Sequence, residues 1–101
     1  MKNIVINGKS ITIKPINFDA ICNLEEMGLD LLNINKKAFS TFRCLMAFNA
    51  NIPLTEASVE IESHIANGGN ITDLVPLVNA VVESDFFKTL IARQEGNNQL
   101  A

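Results

Sequence analysis

Residues 4–13 decide the fold, and they read Ile4-Val5-Ile6-Asn7-Gly8-Lys9-Ser10-Ile11-Thr12-Ile13. Isoleucines alternate with other residues on both sides of the Asn-Gly pair, and such alternation is typical of β-strands. An Asn-Gly pair suits a two-residue type I′ turn, because that turn needs a positive φ angle at both central positions. The sequence therefore predicts a β-hairpin in which Ile4 faces Ile11.

One face of this hairpin is apolar, and it is formed by Ile4, Ile6, Ile11 and Ile13. Two strands alone are only marginally stable in water, so this face must dock on helices of the same chain or on another chain. The open strand edges also invite pairing with a second molecule. We therefore expect a homo-oligomer with either the hairpin or the segment around Phe86 at its interface.

The rest of the chain follows the 3.6-residue apolar periodicity of helices. Helices are predicted at about residues 18–27, 36–50 and 55–66, and Thr72 is the expected N-cap of a fourth. Ser84 and Asp85 either continue that helix or begin a fifth one. The predicted fold is α+β, a hairpin followed by a bundle of four to five helices. It forms a single domain over residues 1–94, with a disordered tail at 95–101.

The second predicted helix is apolar on two sides. One arc of this helix carries Ala38, Phe39, Phe42, Leu45, Met46 and Ala50, whereas Cys44 and Phe48 project from another side. A helix with this pattern is either central in the bundle or half-covered by a partner.

A second surplus of apolar side chains lies near the end of the chain, in a stripe made of Phe86, Phe87, Leu90 and Ile91. The hairpin and the earlier helices already contain enough apolar residues for one core. The stripe therefore either completes the core or faces a partner. We predict these four residues, together with Phe48, as partner-binding residues.

Composition excludes several classes of function. The 101 residues are 48% hydrophobic, carry a net charge of −3 and include only two arginines, so binding to a nucleic-acid backbone is not expected as the main activity. No apolar run approaches the roughly 20 residues that a membrane span needs. The start of the chain leads into a strand pattern, which is unlike a signal peptide.

Candidate catalytic residues are few. Cys22 and Cys44 fall on apolar helical positions and are interpreted as reduced core thiols. His64 is predicted to be a surface histidine on the third helix. A Cys–His dyad stays open, since its partners need only be neighbours in space, but no oxyanion-hole motif accompanies it. These three scattered side chains make a poor zinc site, so no catalytic, cofactor or metal residue is predicted.

The order of these segments resembles the tail assembly chaperones of long-tailed phages and prophages of Gram-positive bacteria. The resemblance covers roughly residues 1–90, and its motifs are hydrophobic patterns that contain no catalytic chemistry. It is carried by the hairpin and by residues 17–28 (NFDAICNLEEMG), 39–48 (FSTFRCLMAF) and 53–57 (PLTEA).

This resemblance implies a small, mostly helical protein without enzymatic activity or cofactor. Members of the family are thought to coat the long apolar tape-measure protein and to help tail-tube subunits assemble around it. The implied location is the cytoplasm of the bacterial host, and the protein is not expected in the mature virion. Two other classes stay open: a small helical interaction or regulatory module, which could be associated with nucleic acid, and a small Cys/His enzyme.

Overall fold

The hairpin is present with the predicted register. In the computed structural model Ile4 pairs with Ile11 and Ile6 pairs with Lys9. The two turn residues have positive φ angles, 53° at Asn7 and 77° at Gly8, as a type I′ turn requires. The α+β prediction is thereby confirmed at its most specific point.

Helices make up most of the remaining chain. The structure describes residues 2–34 and 36–100, without the side chains of Leu32 and of residues 94–100. The strands in this part are β1 (Asn3–Ile6) and β2 (Lys9–Thr12), and the α-helices are α1 (Phe18–Glu26), α2 (Ala38–Ala50), α3 (Leu54–Ala66), α4 (Val75–Val82) and α5 (Asp85–Leu100). Two short 3₁₀ turns, Leu31–Asn33 and Ile71–Leu74, precede α2 and α4.

The apolar face of the hairpin docks on the chain's own helices. Ile6 and Ile11 are buried, and Ile4 and Ile13 are half-buried against the same core. Complete burial of such a side chain contributes about 1.5–3 kcal/mol, which compensates for the weakness of an isolated hairpin. The largest fully buried side chains of the core are Ile6, Leu24, Leu45, Met46, Leu74, Leu77 and Val81.

A buried asparagine fixes the open end of the hairpin to α2. The Asn49 side chain accepts a hydrogen bond from the Lys14 backbone N–H at 2.8 Å. It also donates to the Leu45 carbonyl at 2.8 Å. The Ile13 N–H still donates to the Lys2 carbonyl, at 2.9 Å. The chain then leaves the strand ladder. Pro15 follows, and it has no N–H to donate to a neighbouring strand.

The start of the fourth helix differs from the prediction. Asn70, not Thr72, is the cap, and its side chain and that of Asp73 form a reciprocal capping box. The capped segment is the 3₁₀ turn Ile71–Leu74, which runs directly into α4. Both residues belong to the types that favour N-caps, and the acidic residue three positions later selects Asn70.

The inward side of α2 also differs from the predicted arc. Its buried residues are Thr41, Cys44, Leu45, Met46, Ala47 and Asn49. Cys44 therefore lies in the core, whereas Phe39 is 76% exposed. Because α2 is apolar on two sides, its periodicity alone could not determine which side faces inward.

The last helix bears on the predicted domain boundary. Helix α5 begins at Asp85, so Ser84 and Asp85 begin a fifth helix instead of continuing α4. Ala101 and the side chains of residues 94–100 lie outside the described part of the chain. The disordered tail at 95–101 and the domain boundary at 94 therefore stay predictions.

Replacing Gly8 by alanine should lower the free energy of unfolding by about 1–2 kcal/mol, the usual cost of left-handed backbone for a residue with a Cβ. A Cβ at this position would meet no atom within 4 Å, so the loss is conformational. Urea denaturation measures it. The control is Gly8→Asn, which should lose less because asparagine tolerates this conformation. Equal stability of the alanine variant and the wild type would contradict the turn assignment.

Candidate protein-binding surface

The tip of the hairpin is held by a cluster of polar side chains from α3 and the 3₁₀ turn before α4. The Asn7 backbone N–H donates to Nδ1 of His64 at 2.9 Å, and the Asn7 side chain donates to Glu60 at 3.1 Å. Lys9 forms an ion pair with Glu60 at 2.6 Å. Nε2 of His64 lies 2.7 Å from an Asp73 carboxylate oxygen. We call Asn7, Lys9, Glu60, His64 and Asp73 the polar anchor.

The hydrogen bonds of the polar anchor determine the tautomer of its histidine. Nδ1 of His64 accepts the N–H of Asn7, so it carries no proton. The neutral ring therefore holds its proton on Nε2 and donates it to Asp73. The ring thus bridges two elements. The hairpin tip lies 57 positions away from His64 in the sequence, and Asp73 of the 3₁₀ turn lies 9 positions away.

Charges in the polar anchor are stabilised by their partners. The hydrogen bond between Lys9 and Glu60 raises the pKa of the Lys9 ammonium. The same bond, aided by the Asn7 side chain, lowers the pKa of the Glu60 carboxyl. The backbone N–H of Asn70 and the ring of His64 together lower the pKa of Asp73. These groups therefore favour the folded state in their charged forms.

The geometry does not form the Cys–His dyad. Both ring nitrogens of His64 bond to Asn7 and Asp73, whereas the Cys44 thiol donates weakly to the Leu24 carbonyl at 3.6 Å. Burial raises the pKa of Cys44. Its side chain therefore stays a protonated thiol, which is less nucleophilic than a thiolate. Cys22 and Cys44 are both free. Cys44 lies in the core as predicted, whereas Cys22 is only half-buried.

Sequence reasoning missed the role of His64. Its side chain is only 12% exposed, so the prediction of a surface histidine was wrong. Gly69 approaches so closely that a Cβ there would lie 2.4 Å from Nε2 of the ring. One glycine is enough to end a helix. The second glycine of the Gly68-Gly69 pair was therefore the signal in the sequence that a side chain packs closely at this position.

The part of the chain that the structure describes holds neither a metal-ligand cluster nor a membrane-spanning helix. No group of three or more His, Cys, Asp or Glu side chains in this part of the chain could hold a metal ion. Within residues 2–34 and 36–100, no helix combines the length and the apolar character needed to cross a bilayer.

An exposed apolar groove lies between α2 and α3. It has a volume of about 500 Å³, and its most exposed apolar members are Phe39 at 76% and Ile65 at 45%. Arg43 and Glu62 place one charge of each sign beside it. The groove, called the Phe39 groove below, is lined by Phe39, Ser40, Arg43, Ser58, Ile61, Glu62, Ile65 and Ile71.

The predicted α5 stripe is divided between the core and the surface. Phe86 and Phe87 are half-buried and pack against the core. The Phe86 ring also meets the edge of Phe18, with centroids 5.7 Å apart, and Phe18 itself is 63% exposed. Leu90 and Ile91 are half-buried farther along the helix. The Phe86 end of the stripe therefore forms an apolar surface together with the exposed ring of Phe18.

Phe48 lies in a different place from the α5 stripe. It is half-buried against the core, and Nζ of Lys14 lies 4.8 Å from the centroid of its ring. Such a contact between an ammonium and an aromatic face is attractive. Phe48 therefore supports the chain where it leaves the hairpin, and it also lines a groove with Lys14 and Met27.

Comparison with protein-family models, with curated proteins and with solved structures gave no match to this chain.

The close approach of Gly69 to His64 gives a test by double mutation. Gly69→Ala should cost about 1–3 kcal/mol, because the new Cβ overlaps the ring. The same change in a His64→Ala background should cost much less, which makes the two effects non-additive. Thermal melts of the four proteins measure this coupling.

Gly68→Ala is the matched control for this cycle. Gly68 has a φ angle of 99°, and a Cβ there meets nothing within 4 Å. Its cost should be the same with or without His64. Additive effects at Gly69 would show that its neighbour is not the ring.

The polar anchor also predicts a dependence of stability on pH. The carboxyl pKa values of Glu60 and Asp73 are lower in the folded protein than in the unfolded chain. Their contribution is therefore complete above the unfolded values and is lost as the pH falls through the folded ones. The free energy of unfolding should fall below about pH 5. Glu60→Gln and Asp73→Asn should flatten this decline, and Glu25→Gln, on α1, should not.

Proposed function

We propose that this protein is a non-enzymatic phage tail assembly chaperone that binds the tape-measure protein and assists assembly of the tail tube. The segment order described above supports this proposal. The Phe39 groove is the observation that carries it, because a phenylalanine left 76% exposed beside apolar neighbours is typical of a protein-binding surface.

The Phe39 groove suits a helical client. Ile61 and Ile65 lie one helical turn apart on α3, and Phe39 and Arg43 do so on α2. Two facing rows with this spacing accept the i, i+3, i+4 anchors of an amphipathic helix. The apolar residues supply contact area, and the opposite charges of Arg43 and Glu62 at the groove orient the client.

The proposal also assigns contacts to the other predicted surfaces. The exposed Phe18 and the neighbouring end of the α5 stripe offer a second apolar contact for the client or for the tail-tube protein. We also propose a homo-oligomer that uses the hairpin or the Phe86 segment. The protein acts in the host cytoplasm and leaves before the virion is complete.

Phe39→Ala should weaken capture of the co-expressed tape-measure protein at least tenfold, because an exposed aromatic anchor contributes more to binding than to folding. Its melting curve should correspond to a stability within about 1 kcal/mol of the wild type. Val59→Ala shortens another exposed apolar side chain, on α3, that does not line the Phe39 groove, and serves as the matched control. It should leave capture through the Phe39 groove unchanged.

Other outcomes lead to different conclusions. If Phe39→Ala binds normally while Leu90→Ala or Phe87→Ala binds weakly and stays folded, the client surface is the α5 stripe. If the wild-type protein captures no tape-measure protein, the proposed function is wrong. Detection of the protein in mature particles by mass spectrometry would indicate a structural virion component instead of a chaperone.

A further inference from the structure

One edge of the hairpin has backbone groups that point away from the ladder. In an antiparallel pair, hydrogen-bonded and non-hydrogen-bonded residue pairs alternate. The Ile13 N–H donates to the Lys2 carbonyl, so the pair Ile4–Ile11 is also hydrogen-bonded. Ser10 and Thr12 then direct their N–H and C=O groups outward from β2. Within the described residues, neither N–H has a hydrogen-bond acceptor.

A groove of about 450 Å³ opens along this strand. Its walls are β2, the C-terminal half of α2 and the outward side of α3. Ion pairing or hydrogen bonding closes both ends, through Lys9 with Glu60 and through Lys14 with Asn51. Between those ends its apolar members are Ile11, Met46, Ala50 and Ile52.

We propose that the outer edge of β2 binds an extended, uncharged peptide segment as a third strand. The outward groups of Ser10 and Thr12 supply two donors and two acceptors at the two-residue spacing that strand addition uses. β2 and the two residues after it, from Lys9 to Lys14, span about 17 Å at the usual rise of a strand. This length accommodates about five residues of the added strand.

The chemistry of the groove selects this occupant. Both lysines already have partners within the chain, and Glu56 and Glu60 balance them, so no net charge remains for a charged peptide. A helix satisfies its own backbone groups and could not use the outward groups of Ser10 and Thr12. A second folded copy would bring its helices against α2 and α3, which already flank this edge, so the homo-oligomer proposed above would use the β1 edge of the hairpin or the Phe86 segment.

This binding site is separate from the Phe39 groove, and it goes beyond the proposed function. An extended segment held here and a helix held between α2 and α3 would contact different faces of the protein. The two sites can therefore fail independently in experiments.

Residue-resolved amide exchange by NMR tests the proposal on the wild-type protein. The probe is an uncharged synthetic peptide, acetyl-Thr-Val-Thr-Val-Thr-amide, at up to about 1 mM, the weak limit of specific recognition. In the free protein the Ser10 and Thr12 amides should exchange fast and the Ile11 amide slowly. The peptide should slow exchange at Ser10 and Thr12 at least tenfold. No slowing at this concentration would overturn the proposal.

Methylated peptides show whether the peptide backbone makes the contact. N-methylation of either the valine or the threonine amides removes the donors on one side of the added strand. One of the two patterns should abolish binding and the other should be tolerated, because successive amides point to opposite sides. Equal binding of both methylated peptides would overturn the assignment to a strand edge.

A pair of proline variants tests the same edge from the protein side. Thr12→Pro removes one outward N–H and should lower peptide affinity at least tenfold. Asn3, the ladder partner of Thr12, has its N–H on the opposite edge, so Asn3→Pro is the matched control and should bind normally. Protection of Ser10 and Thr12 that rises with protein concentration alone would instead identify a second copy as the occupant, against the proposal.

Discussion

A two-stranded sheet does not persist alone in water, and the structure depends on how the two ends of its hairpin are attached to the helices. At the tip, the Asn7 N–H donates to His64. At the open end, the Lys14 N–H donates to Asn49. Between these bonds, the isoleucine face lies against the core. Directional bonds at both ends determine where the face docks, and burial supplies most of the stability.

The hairpin, its register and the order of the helices could be predicted because each depends on neighbouring residues. The Asn7-Gly8 pair selects its turn by local sterics. The inward side of α2 could not be predicted in the same way. Phe39 and Cys44 are both apolar, and only the position of the other helices decides that Cys44 is buried and Phe39 is exposed. The Phe39 groove exists because the packing of the helices leaves Phe39 on the outer side of α2.

The role of His64 shows the second limit of local reasoning. Its partners, Asn7 and Asp73, lie 57 and 9 positions away, and no helical periodicity connects them. The cap at Asn70 was within reach of the sequence, because the acidic residue three positions later marks it. A polar cluster assembled from three elements leaves no such mark. The trace of this cluster in the sequence is Gly69, because a residue with a Cβ at this position would overlap the His64 ring.

The span of 57 positions between Asn7 and His64 has a consequence during synthesis. Translation produces the hairpin before α3, and the bond that holds the hairpin tip needs a residue made 57 positions later. Until then the isoleucine face and the open strand edge are available to other nascent chains, which is the kind of exposure that leads to misassembly. The hairpin tip therefore stays unattached until α3 has been synthesised.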